Sequence, residues 1–103
     1  MDEANLVSDS GVEPVAAHTV TILYFARLKE VFGRGLERIA LPGSVGTVEA
    51  LREHLRARGG PWEAELALTK PVRVAVNQEM AGPEARVGPN DEVAFFPPVS
   101  GGA

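Results

Sequence analysis

The chain contains no cysteine. That absence excludes disulfides, thiol nucleophiles, iron–sulfur ligation and cysteine-based zinc sites. Histidine is scarce too. His18 and His54 are the only two and lie far apart, which argues against a histidine metal site. No apolar run is long enough to cross a bilayer. The opening Met1-Asp2-Glu3 lacks the basic region of a secretory signal. The serines, Ser8, Ser10, Ser44 and Ser100, stand in no recognisable nucleophile–base–acid set, and most carboxylates fall on polar faces where solvation accounts for them. "GRG" and "PGSVG" lack the spacing of phosphate-binding loops. The expectation is a cytoplasmic protein without a membrane segment, a bound metal or catalytic machinery of its own.

Basic residues are missing from residues 1–17, which hold Asp2, Glu3, Asp9 and Glu13; beyond them ten acids balance ten bases, so the net charge of −4 resides in the leader. A neutral body has no overall attraction for phosphate backbones, so nucleic acid is not an expected partner. The leader reads as a disordered acidic segment, followed by one domain over residues 18–98 and a flexible tail over 99–103. At 103 residues the core is modest.

The periodicity within the body is mixed. "HTVTILYFA" (18–26) reads as a strand with Val20, Ile22 and Tyr24 on one face and Thr21, Leu23 and Phe25 on the other; both faces are apolar enough to predict that both are covered. "RLKEVF" predicts one or two helical turns with Leu28, Val31 and Phe32 inward, and "LERIAL" a strand antiparallel to the first, ended by Pro42. "TVEALREHLRARGG" is the clearest helix, capped by Thr47, striped by Val48, Leu51 and Leu55, with Arg56 and Arg58 in its last turn and Gly59 as a left-handed stop. "PWEAELAL" predicts a second short helix, with Trp62 in the core or at its rim. "VRVAV" (72–76) predicts a strand, "NQEMAG" a turn leading into a short edge strand, and "VGPND" a turn with Asn90 at positive φ. "EVAFF" is the last strand, with Val93 and Phe95 facing one way and Ala94 and Phe96 the other; Pro97 and Pro98 stop its pairing. The pattern gives an α+β roll, a mixed sheet with one main helix across it.

The tail, "PPVSGGA", is the one unexplained motif. Two glycines without side chains can enter a channel too narrow for other residues. The five residues after Pro98, fully extended, reach about 17 Å from the domain.

Together, "VTILYFARLKEVFG", "TVEALREHL", "VRVAVNQEM" and "DEVAFFPPVSGG" resemble the MoaD/ThiS family of β-grasp sulfur carriers, over residues 20–102 and closest to its molybdopterin synthase branch. The resemblance implies a ubiquitin-like β-grasp fold and a carrier that is no enzyme by itself. It implies that the carboxylate of Gly102 is adenylated with ATP by a ubiquitin-activating-like adenylyltransferase. A sulfurtransferase then converts it to a thiocarboxylate. Within the large subunit of molybdopterin synthase the sulfur passes to cyclic pyranopterin monophosphate. No cofactor is bound by the chain; ATP belongs to the activating partner. Gly101 is then the channel-fitting neighbour, and Phe25, Lys29, Met80, Phe96, Pro97, Pro98 and Val99 are partner contacts. Ala103 departs from the pattern, because it leaves Gly102 without a free carboxylate. It is cleaved as in ubiquitin-like precursors, or is foreign to the native terminus, or marks an inactive paralogue. A carrier for another pathway, a ubiquitin-like modifier or a β-grasp binding module are the alternative functions.

Overall fold

Alternation along the first strand sets the architecture. In the computed structural model, which describes residues 17–97, strand β1 (His18–Tyr24) buries Val20, Ile22 and Tyr24 and leaves Thr21 and Leu23 half-exposed. Helix α1 (Arg27–Phe32) follows, buries Leu28 and Phe32, and ends at Gly33 with φ 76°. Strand β2 (Leu36–Leu41) then returns antiparallel to β1, His18 facing Leu41 and Leu23 facing Leu36.

Helix α2 (Val48–Arg56) is built as its sequence predicts. The Thr47 side chain accepts from Ala50 N at 3.1 Å, and Val48, Leu51 and Leu55 are buried. The remaining N-terminal amides find carbonyls outside the helix: Val48 N donates to Ala85 O and Glu49 N to Pro83 O, each at 2.9 Å. The helix stops at Arg56, so Arg58 lies beyond the last turn and serves a different purpose, described below. Gly59 has φ 79°, as expected of the stop. Helix α3 (Pro61–Glu65) has proline in its first turn.

Strand β3 (Arg73–Val76) starts one residue later than the pattern suggests. It forms a hairpin with β4 (Glu79–Ala81) across Asn77 and Gln78, whose φ values of 51° and 72° match the twist that a two-residue hairpin turn needs. Asn90, also at positive φ (66°), leads into β5 (Glu92–Phe96). The sheet order is β2–β1–β5–β3–β4. β5 runs parallel to β1 and antiparallel to β3.

All three helices lie on one side of the sheet. Leu28 and Phe32 of α1 and Val48, Leu51 and Leu55 of α2 share one core with Val20, Ile22, Tyr24, Val74, Val93 and Phe95, and Trp62 of α3 packs against it. The second face, expected to be covered, has no layer over it among the described residues: Leu36 and Met80 are each 58% exposed. Strand alternation identifies which residues share a face; it does not reveal that, among the described residues, only one face has a partner.

Candidate functional site

The site is assembled where β1 and β5 end. Tyr24 and Phe95 point into the core, so the next residue on each strand, Phe25 and Phe96, faces the other way. Their rings stack with centroids 4.8 Å apart and planes 5° apart. Phe25 is 41% exposed and Phe96 half-buried. A stacked aromatic pair left at the surface presents apolar area that water solvates poorly, which is how interaction sites are commonly built.

The backbone itself turns Phe25 outward. Phe25 N donates to Phe95 O at 3.2 Å, which extends the ladder one residue past β1. Ala26 then reverses the chain into α1 with φ 52° and ψ −127°, a conformation that an L-residue with a Cβ adopts only at a cost. Gly60 enters α3 with nearly the same angles, φ 56° and ψ −134°.

Met80 reaches the site from the edge strand. With Arg73, Phe96 and Pro97 it lines an open pocket of about 230 Å³. Lys29 stands exposed on α1, its stem lying over Gly35, where a Cβ would come within 3.2 Å of its Cδ and Cε. On the other side of Pro97, Arg27, Glu65 and Lys70 border a pocket of about 240 Å³. Arg27 Nη2 meets Glu65 Oε2 at 2.9 Å, and that hydrogen bond holds the Glu65 carboxyl below the usual carboxylate range. The structure thus gathers Phe25, Phe96, Met80 and Pro97, with Lys29 on the neighbouring helix. Pro98, Val99, Gly101, Gly102 and Ala103 lie outside the described residues, as do residues 1–16. Arg73, which faces Phe96 in the β3–β5 register, was missed from sequence. Its polar position in "VRVAV" is the signal, but only the strand pairing puts it beside the aromatic pair. Among the described residues no group of three potential metal ligands occurs, and no helix is long and apolar enough to cross a membrane.

Behind the site, the helices are held to the sheet by a charged hub. Tyr24 OH donates to Glu37 Oε2 at 2.6 Å; Arg58 forks onto both Glu37 oxygens at 2.9 and 3.2 Å, and Arg34 adds a contact at 3.1 Å. The Arg58 guanidinium lies 4.3 Å from the Trp62 ring, which stacks on Phe32 at 3.9 Å. Burial pushes the Tyr24 hydroxyl well above its ordinary value, and the bond to Glu37 pushes it further. For Glu37 burial works upward as well, but the hydrogen bonds from Arg58 and Tyr24 outweigh it and hold the carboxyl low. Arg52 performs a similar service for the 66–70 loop, donating to the carbonyls of Leu66, Ala67 and Lys70.

The sequence model of the ThiS family matches residues 22–102. The chain belongs to the ThiS family. This ThiS-family chain is 41% identical over 83 residues to the molybdopterin synthase sulfur carrier subunit of Haemophilus influenzae, covering 81% of the chain and 99% of that relative. It is 39% identical to the subunit of the same name in Escherichia coli, with the same coverage. Among solved structures, the crystal structure of SAMP1 from Haloferax volcanii, a small archaeal modifier protein, superposes with a TM-score of 0.66 at 30% identity, over 81% of this chain and 98% of that one. The β-grasp, ubiquitin-like fold expected from sequence is thus the fold observed.

Proposed function

We propose that this chain is the sulfur carrier subunit of a molybdopterin synthase, a protein cosubstrate and not an enzyme by itself. The observation that carries this reading is the 41% identity to a sulfur carrier subunit along 99% of that relative's length. The geometry supports it. β5, a central strand, ends beside an exposed aromatic pair, so a Gly-Gly segment following Pro97 starts from a firm base next to a docking patch.

In this reading a Gly102 carboxylate oxygen attacks the α-phosphate of ATP within a ubiquitin-activating-like partner and pyrophosphate leaves. The terminal sulfur of a sulfurtransferase persulfide then attacks the acyl carbon and AMP leaves, and a thiol reductant cleaves the S–S bond of the resulting acyl disulfide to release the thiocarboxylate. In the large synthase subunit the sulfur passes to cyclic pyranopterin monophosphate, and two such deliveries complete a dithiolene. Gly101, without a side chain, fits the partner's narrow channel; Phe25, Lys29, Met80, Phe96, Pro97, Pro98 and Val99 make the partner contacts. The partners supply the catalytic groups, and the chain supplies the reactive terminus and the address.

A residue after Gly102 moves the terminal carboxylate on by one Cα step, roughly 3.8 Å. Misplacement of about 1 Å can already cost on the order of a hundredfold in rate. The form ending at Gly102 is therefore expected to support ATP–pyrophosphate exchange with the activating enzyme, and the form ending at Ala103 is not. Equal exchange by both would overturn this account of activation. The likeness to SAMP1 favours a second reading, a ubiquitin-like modifier. Intact-mass analysis in the native host separates the two: a carrier gains one sulfur in place of one oxygen, whereas a modifier is recovered joined to lysines of other proteins.

A further inference from the structure

Hydrogen bonds fix the direction of the last strand only as far as Phe96. On the β1 side the ladder ends where Phe25 N donates to Phe95 O at 3.2 Å, and on the β3 side Arg73 faces Phe96. Pro97 has no N–H to carry either ladder further. Past that point only the walls around Pro97 can aim the chain. The registers Tyr24–Phe95 and Arg73–Phe96, each continued beyond the paired residues, bring Ala26 and Val72 to the two sides of Pro97. All three line the helix-side pocket of about 240 Å³ that Arg27, Glu65 and Lys70 border.

Of these walls Ala26 is the unusual one. Its φ of 52° and ψ of −127° lie where the backbone crowds a Cβ. The chain makes nearly the same turn into α3, and there the residue is Gly60. Burial does not offset the cost at Ala26, because the residue is exposed, and a methyl group can make no hydrogen bond. The turn into α1 therefore has no use for the methyl group that strains it. A strained conformation that the fold does not require points to a functional position.

We propose that Ala26 is a positioning residue for the tail: its methyl group stands beside Pro97 as a stop on the helix side and keeps the segment after Pro97 directed away from α1. The inference rests on the sulfur-carrier reading, in which Gly102 must enter a narrow channel in each partner. A tail that is already aimed loses less conformational freedom on entry. The helix-side pocket gives the stop its purpose. Lys70, exposed on the border of that pocket, is a cation that would draw a terminal carboxylate aside.

The test compares the form ending at Gly102 with its Ala26→Gly and Ala26→Ser variants. The measurements are the melting temperature, the heteronuclear NOE of the Val99 and Ser100 amides, and ATP–pyrophosphate exchange with the activating enzyme. Ala26→Gly is expected to melt higher and to show lower NOE values at both amides. It should also lose about fivefold in kcat/KM, through KM at unchanged kcat, roughly the cost of fixing one further residue's backbone. Ala26→Ser keeps the Cβ and should match the wild type in all three. A higher melting temperature with unchanged exchange would mean that the methyl group has no part in the reaction; it would overturn the inference and leave the sulfur-carrier reading standing. Weaker exchange with unaltered NOE values would make the methyl group a partner contact and would overturn it too. So would glycine-like behaviour of Ala26→Ser, or a melting temperature that fails to rise in Ala26→Gly. Absence of exchange by the unsubstituted form would overturn the sulfur-carrier reading and this inference with it.

Discussion

Glu37 and Tyr24 show how much a single pair can couple. The Glu37 side chain is only 10% exposed, yet two arginines and a phenol satisfy it. Its folded pKa lies below its unfolded value, so its contribution to stability is complete above the unfolded carboxylate pKa and is withdrawn as pH falls through the folded one. Glu37→Gln should therefore cost on the order of 1–2 kcal/mol at neutral pH, with the gap to wild type closing in acid; urea denaturation at pH 7 and pH 3 measures both. Tyr24 has the opposite sign. Its folded pKa is raised above the unfolded value, so the folded state loses stability as pH climbs past about 10. Tyr24 is the only tyrosine, which makes phenolate absorbance a specific reporter. Phenolate is expected to appear only together with alkaline unfolding; an independent titration near pH 10 in the folded protein would contradict the hub.

Among the elements, α1 and α3 begin from nearly the same backbone conformation, one carried by glycine and the other by Ala26. Ala26→Gly should relieve strain of about 1–3 kcal/mol while costing about 0.4–1 kcal/mol through the freer unfolded chain. The strain term is larger, so a net gain of about 1 kcal/mol is expected, a rise in melting temperature of about 4–8 °C at this size. An unchanged or lower melting temperature would mean that Ala26 is not strained. No local pattern announces that angle at Ala26, because alanine after a strand ordinarily reads as more strand or a helix start. What local pattern does encode was legible: the Thr47 cap, the Val48–Leu51–Leu55 stripe, the outward-facing Phe25 and Phe96, and the left-handed Asn90. The hub was not, since Glu37 meets Tyr24 and Arg58 across 13 and 21 residues. In sequence each of those charges looks like ordinary solvated surface. Leu36 escaped notice for the same reason, as its place on the helix-free face follows from pairing with Leu23.

At the scale of the whole molecule, the buried residues of the described chain run from Val20 to Phe95. Residues 1–17 carry only negative charge and no periodic apolar pattern. A chain beginning at His18 is accordingly expected to melt at the same temperature and to bind its partner with the same affinity; a large loss of either would give the leader a structural or docking role.

The last strand has a mechanical consequence. β5 lies in the middle of the sheet, laddered to β1 on one side and β3 on the other, and the chain leaves it at Pro97. Tension applied at the C-terminus runs along the axis of β5, whereas its ladder bonds run across that axis. The load therefore shears two ladders at once instead of opening one bond after another, as it would at a sheet edge. A partner that draws in the terminal residues pulls in the direction in which this sheet is hardest to take apart.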